Sequence, residues 1–271
     1  MYFKDRLIPE REARVWIFCD GFLYARGLFE TMRAYRGEVF ALKQHIERLK
    51  KGAKIIGLKN PPPYSRLEEA VLITVGSSKI KEAYIRLNLW QEENSCNFAC
   101  FIKPLKKYPD KFYKRGVRAI ISDFKVNESS LLCRVKSLNY LFYKLARQAA
   151  NKKNAFEAIL LNSKGLLAEG AHSNIFLVKR DSLITPSLES GCLPGITRSI
   201  VLGLAKKEKI KVEEKLVKPG KLFKADEAFL TNSLIEIMPV TRVNNKSVNN
   251  GRSGKITNLL IKRYQELVKG S

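Results

Sequence analysis

Val135-Lys-Ser-Leu-Asn-Tyr-Leu141 sets one lysine in a mostly apolar stretch ahead of an amphipathic run in which Leu138, Leu141, Leu145 and Ala149 share one side. The spacing predicts a helix over Leu138 to Ala150. A lysine is usually a surface residue. Here partial burial and nearby cations such as Arg134 favour the neutral amine, which is the nucleophilic form. Outward from this stretch, Val117 to Ile121 reads as a strand, and Phe156 to Leu161 and Ile175 to Val178 read as strands around a hairpin turned at Asn162-Ser-Lys-Gly165. Gly195-Ile-Thr-Arg198 opens a helix reaching about Lys209, and Ile256, Leu259, Leu260, Tyr264 and Leu267 mark a last one.

On the N-terminal side, Leu42, Ile46, Leu49, Ala53 and Ile56 form one face of a helix ending near Gly57. Arg48 lies beside that face, and His45 falls on the charged, solvated one. Ala83-Tyr-Ile-Arg-Leu-Asn-Leu-Trp90 alternates like a half-buried strand, with Tyr84, Arg86 and Asn88 on the same face. Two prolines and a run of charge in Lys103-Pro-Leu-Lys-Lys-Tyr-Pro-Asp-Lys111 interrupt the apolar pattern. The expected class is therefore α+β (mixed α/β), with a smaller N-terminal domain over 1–104, a linker over 105–113 and a larger C-terminal domain over 114–271.

A chain of 271 residues with 45% hydrophobic and 28% charged residues has the composition of a globular protein with a sizeable core. Its formal charge of +24 raises nucleic acid or an anionic membrane first. The basic residues, however, are spread along the chain in KK and KR pairs and form no recognition module, so nucleic acid is not the expected partner. Five cysteines lack disulfide-scaffold spacing, and Cys96 with Cys100 lacks the further ligands of a zinc site, so reduced cytosolic thiols and no metal are expected. The N-terminus carries charge where a signal peptide is apolar, and no apolar run approaches a membrane span, which points to a soluble, cytoplasmic protein. Two histidines leave little material for a histidine triad, and neither a Walker loop nor a G-x-G-x-x-G fingerprint occurs.

Six segments occur in this order: Asp20-Gly-Phe-Leu-Tyr-Ala-Arg-Gly-Leu-Phe-Glu-Thr-Met-Arg33, His45-Ile-Glu-Arg-Leu49, Val135 to Leu141, Leu167-Ala-Glu-Gly-Ala-His-Ser-Asn-Ile-Phe176, Leu193-Pro-Gly-Ile-Thr-Arg198 and Ala225 to Val240. Together they resemble the motifs of the class IV aminotransferase family, the fold type IV pyridoxal 5'-phosphate enzymes, over most of the chain. The resemblance implies a two-domain fold of the D-amino-acid aminotransferase type. It also implies pyridoxal 5'-phosphate held by the C-terminal domain, an active site between the domains, and completion of that site across a homodimer interface. Lys136 would hold the cofactor, and Tyr140, read as four residues on along one helical face, would hydrogen-bond its phenolate oxygen. Glu169 would pair with the pyridine nitrogen. Arg48, Ile196 and Thr197 at a helix start, and Ser233 would bind the phosphate.

The family uses this cage for branched-chain aminotransferases, D-amino-acid aminotransferases and aminodeoxychorismate lyases. Thr31, in Phe29-Glu-Thr-Met-Arg33, stands where branched-chain enzymes tend to have glycine, and Thr231-Asn-Ser-Leu234 is similar to the lyase version of that run. The first expectation is thus a lyase of folate biosynthesis. In it Lys136 removes the proton at the amine-bearing carbon of 4-amino-4-deoxychorismate, Thr31 assists the departing group, and 4-aminobenzoate and pyruvate are released. Transfer of an amino group from a branched-chain or other amino acid to 2-oxoglutarate is the second, and a non-catalytic basic nucleic-acid-binding protein a remote third. Both substrate types are small carboxylates, for which Arg86, Arg33 and Arg26 are candidates, with Tyr24 lining the pocket. The Gln91 to Asn97 segment, where many relatives carry a glycine-rich turn, is the expected seat of specificity.

Overall fold

Alternation of apolar and polar residues builds the first sheet. The structure, a computed structural model, describes residues 1–270. The chain divides into two compact units, Met1–Lys106 with Val135–Tyr140, and Lys107–Arg134 with Leu141–Gly270. The lysine segment, expected with the larger C-terminal domain, thus groups with the first unit.

The first unit contains β1 (Tyr2–Phe3), β2 (Arg6–Leu7), α1 (Asp20–Leu23), β3 (Gly27–Tyr35), β4 (Glu38–Val39), α2 (Leu42–Ile55), α3 (Tyr64–Gly76), β5 (Ala83–Glu92) and β6 (Ser95–Pro104). Its antiparallel sheet runs β2-β1-β6-β5-β3-β4. Leu28, Met32 and Ala34 of β3 and Ile85, Leu87 and Leu89 of β5 are buried with Ile46, Leu49 and Ala53 of α2 and Leu67, Ala70 and Val71 of α3. Each fully buried leucine or isoleucine contributes about 1.5–3 kcal/mol, and a one-residue slip would forfeit the whole set. The alternate residues Phe29, Thr31 and Arg33 of β3 lie on the other face, in register with Asn88, Arg86 and Tyr84 of β5.

The second unit contains α4 (Asp110–Arg115), β7 (Val117–Val126), α5 (Leu141–Lys152), β8 (Glu157–Asn162), β9 (Leu167–Gly170), β10 (Asn174–Lys179), β11 (Ser182–Pro186), α6 (Ile196–Lys207), β12 (Val212–Lys215), α7 (Gly220–Phe223), β13 (Glu227–Asn232), β14 (Glu236–Val243), β15 (Lys246–Ser247) and α8 (Lys255–Lys269). Its sheet runs β12-β11-β10-β13-β14-β7-β8-β9, with β15 on β14. Parallel pairs (β11 with β12, β14 with β7, β7 with β8) mix with antiparallel ones, which is the expected α+β class.

One expected pairing is corrected. The turn at Asn162 to Gly165 joins β8 to β9, whereas Ile175 to Val178, within β10, pairs with β11 and β13. Asn162 Oδ1 accepts the Leu166 N–H (2.9 Å) and Gly165 takes a positive φ of 74°, so the chain reverses at once and Leu167 is already in the ladder. Among the described residues no helix is long and apolar enough to cross a membrane.

Candidate active site

Backbone pairing positions Lys136. The Phe29 N–H donates to Lys136 O (2.9 Å) and the Leu138 N–H to Gly27 O (2.9 Å), so the segment runs extended along β3 and α5 starts only at Leu141. Gly27 is needed there, because a Cβ would stand 2.6 Å from Leu89 O and from Leu138 Cδ1. Lys136 and Tyr140 consequently do not share a helical face, as their four-residue spacing suggested. They meet because the Tyr140 N–H bonds back to Leu138 O (2.7 Å), which puts Lys136 Nζ 5.7 Å from the Tyr140 ring centroid and 4.6 Å from that of Phe29. The two rings stand edge to face at 5.2 Å.

Arg86 shares the same ring, its Cζ lying 3.8 Å from the Phe29 centroid. Its Nε donates to Asn88 Oδ1 (2.9 Å), and this half-buried guanidinium forms no ion pair among the described residues. Thr31 stands opposite Arg86 in the ladder. Arg33, next along β3, stacks on Tyr35 at 4.1 Å and reaches Glu82 at 3.3 Å. Beyond Asn88 lies an apolar cavity of about 290 Å³, lined by Phe3, Phe22, Trp90, Phe101 and Leu138.

Three other candidates are placed differently. Arg26 is committed to Asp20 (3.0 Å) and to Gly57 O (2.6 Å), which makes it a clasp between backbone segments. Tyr24 is 73% exposed at the end of α1. The Gln91 to Asn97 segment is mostly strand. Gln91 is buried, accepts the Lys59 N–H (2.8 Å) and donates to Glu93 O (2.9 Å) and Ser95 O (2.8 Å), so it closes a tight hairpin.

On the core side of β3, Glu30 is fully buried and receives Arg48 through two bonds, Nε to Oε1 (2.8 Å) and Nη2 to Oε2 (2.5 Å). His45 Nδ1 also donates to Oε2 (2.7 Å), and the residue is 1% exposed, so the expectation of a solvated His45 is corrected. The turn of α2 that carries Arg48 beside the apolar face carries His45 inward as well.

Burial alone would raise the Glu30 carboxyl; the charges of Arg48 and His45 and the bonds from both overcome it and hold it at about 2. Burial, offset in part by Glu30, lowers His45, so the ring is neutral at pH 7. A carboxyl lowered from 4.5 to about 2 contributes stability above pH 4.5 that is lost as pH falls through 2, on the order of 3 kcal/mol in all. Urea unfolding of the protein and of Glu30→Gln at pH 7 and pH 3 is expected to show a stability gap that narrows at the lower pH; an unchanged gap would mean that Glu30 does not titrate this way.

In the second unit, Glu169 on β9 is buried; its Oε1 accepts the Tyr143 hydroxyl (3.2 Å) and its Oε2 the Leu193 N–H (3.0 Å). Leu193 O accepts Asn174 Nδ2 (2.9 Å), which fastens the chain just ahead of α6 to both β9 and β10. Asn174 faces Thr231 in the ladder, and Ser233 follows in a turn fixed by Asn232, whose Oδ1 accepts the Leu234 and Ile235 N–H groups (2.8 and 2.9 Å). Glu169 and Asn174 thereby both hold Leu193, three residues ahead of Ile196 and Thr197 at the start of α6, and Ser233 lies two residues on from Thr231, the ladder partner of Asn174. The loop between β9 and β10 is held by buried Glu157, which accepts Ser173 Oγ (3.0 Å) and pairs with Arg147 (3.1 Å).

The family model for class IV amino-transferases matches residues 27–243. The chain belongs to the class IV aminotransferases. A Methanocaldococcus jannaschii protein whose name places it with the branched-chain-amino-acid aminotransferases is 36% identical, over 98% of this chain and 96% of its own. The aminodeoxychorismate lyase of Bacillus subtilis is 31% identical, over 99% and 94%. Among solved structures, the branched-chain aminotransferase of Thermoproteus uzoniensis with norvaline superposes with a TM-score of 0.92 at 33% identity, covering 99% of this chain and 94% of that one. A branched-chain aminotransferase from T.th., solved with pyridoxamine 5'-phosphate, gives a TM-score of 0.94 at 26% identity, covering 99% and 93%. Pyridoxal 5'-phosphate is the cofactor of this class IV enzyme. The motifs left Glu30, Tyr143, Glu157 and Asn174 unassigned. Only the alternation of β3 could have pointed to one of them, since it sends Glu30 to the core face where a lone carboxylate needs a cation.

Proposed function

We propose that this class IV enzyme is a transaminase that moves the amino group of a branched-chain or similar apolar amino acid to 2-oxoglutarate. The single observation that carries it is Arg86, a half-buried guanidinium that has no counter-ion among the described residues and shares the Phe29 ring with Lys136. This arrangement suits a substrate whose carboxylate and amine are neighbours. The apolar cavity beyond Asn88 suits a hydrocarbon side chain. Similarity runs the same way, at 36% to a branched-chain relative against 31% to the lyase, and this reverses the order expected from Thr31.

The residues present fit the cofactor. Glu169 offers a buried carboxylate already aimed by two donors, as a protonated ring nitrogen requires. Gly195 caps α6 without a side-chain bond, and a Cβ there would lie 2.0 Å from Asn174 Oδ1, so glycine lets the helix start pack against Asn174 while no N-cap side chain occupies the first-turn amides. Lys136 would hold the cofactor with Tyr140 beside it, Glu169 would pair with the ring nitrogen, and Ile196, Thr197, Ser233 and Arg48 would take the phosphate. When bound, pyridoxal phosphate supplies an electron-accepting ring that stabilises negative charge at the carbon bearing the amine. Lys136 Nζ takes the proton from that carbon, while Arg86 fixes the carboxylate and so the direction of the C–H bond.

Thr31 keeps the lyase as a second reading, because its hydroxyl stands opposite Arg86 where glycine would leave none. Leucine with 2-oxoglutarate is expected to yield glutamate, and Thr31→Gly to keep that rate within about threefold, since no proton passes through Thr31 in transamination. Release of 4-aminobenzoate and pyruvate from 4-amino-4-deoxychorismate, lost in Thr31→Gly, would replace the transaminase by the lyase.

The enzyme is also proposed to act as a homodimer in the cytoplasm. The run of exposed Trp16, Ile17, Phe18, Phe22 and Leu23 supports self-association, and five free thiols suit a reducing compartment.

A further inference from the structure

Arg86 can grip a carboxylate in two ways: side-on through Nε and one Nη, or end-on through both Nη groups. We propose that Asn88 is a positioning residue that closes the first way and leaves Arg86 to take the substrate carboxylate end-on. The inference rests on the reading of Arg86 as the carboxylate site.

Asn88 is two residues on from Arg86 along β5, so both side chains leave the same face, and its Oδ1 accepts the Nε–H at 2.9 Å. The guanidinium plane is braced by Phe29, with 3.8 Å from Cζ to the ring centroid, and Phe29 is the ladder partner of Asn88. One cross-strand pair therefore fixes both the edge and the plane of the guanidinium, and the terminal amines have no ion-pair partner among the described residues. Asn88 also rims the apolar cavity, so it separates the charged head from the space offered to a hydrocarbon chain. Without it, Nε is open, the guanidinium turns about its stem, and a bound carboxylate shifts relative to Lys136.

The test uses cofactor-loaded protein, Asn88→Ala and Arg86→Ala, with 4-methylpentanoate as a carboxylate probe by calorimetry and 3-methylbutylamine as a probe lacking the carboxylate by single-turnover absorbance. Asn88→Ala is expected to weaken 4-methylpentanoate about tenfold, the cost of one charge-assisted bond's alignment, and to leave the 3-methylbutylamine rate within about twofold. Arg86→Ala should abolish the carboxylate response. Unchanged carboxylate affinity in Asn88→Ala, or an equal fall for both probes, overturns the proposal, the second because it signals a general structural defect. Retained affinity in Arg86→Ala overturns it by moving the carboxylate elsewhere. If leucine gives no glutamate while the probes respond as expected, the transaminase reading fails and the role of Asn88 stands.

Discussion

Lys136→Ala is expected to lower turnover by roughly 10³-fold or more, because it removes the amine held over the Phe29 and Tyr140 rings and a positioned base is worth 10²–10⁴-fold by itself. The fold should be untouched. What ties this segment to β3 is backbone: the Phe29 N–H to the carbonyl of residue 136, and the Leu138 N–H to Gly27 O. Alanine keeps both bonds. The side chain's contacts with the faces of Phe29 and Tyr140 are worth about 0.5–1 kcal/mol where solvent reaches them. Turnover of leucine with 2-oxoglutarate and the thermal midpoint, measured on one preparation, check the two halves separately. A variant that melts with the parent and still forms glutamate would remove Lys136 from the chemistry.

That division between side chain and backbone also marks where the sequence was legible. The alternation in Ala83 to Trp90 placed Arg86, Tyr84 and Asn88 on one face because side-chain direction in a strand has period two, whatever the neighbours are. The apolar spacing of Leu42 to Ile56 likewise placed α2, since a helix buries one stripe. Partners across the chain were not legible. Ile175 to Val178 has strand composition, but nothing local says that its ladder runs with β11 and β13. Lys136 and Tyr140 have helical spacing, yet pairing with β3 keeps them extended, because tertiary bonds override a short local preference. His45 read as solvated because its neighbours Lys43, Gln44 and Glu47 are polar, and only Glu30, 15 residues earlier, makes its burial tolerable.

The same carboxylate decides what Arg48→Ala does. From the motif alone, that change should cost cofactor and little else. In the structure it also strips Glu30 of a two-bond ion pair, leaving a buried carboxylate with only a neutral imidazole beside it. Breaking one side of a buried pair costs about 3–5 kcal/mol, which for a chain of this size lowers the melting temperature by roughly 6–20 °C. Removing both charges should be far milder, because an uncharged glutamine side chain needs no cation. The double variant Glu30→Gln with Arg48→Ala is therefore expected to regain most of the lost stability, with a coupling energy of about 2–3 kcal/mol across the four proteins. Cofactor retention should not be regained, since the phosphate then lacks its guanidinium and charge-assisted bonds of about 1.5–3 kcal/mol each are gone. Melting curves and cofactor dissociation constants for the four proteins separate the two effects. Additive melting temperatures would show that the buried pair is not what Arg48 is for, and full cofactor affinity in the stable double variant would move the phosphate away from Arg48.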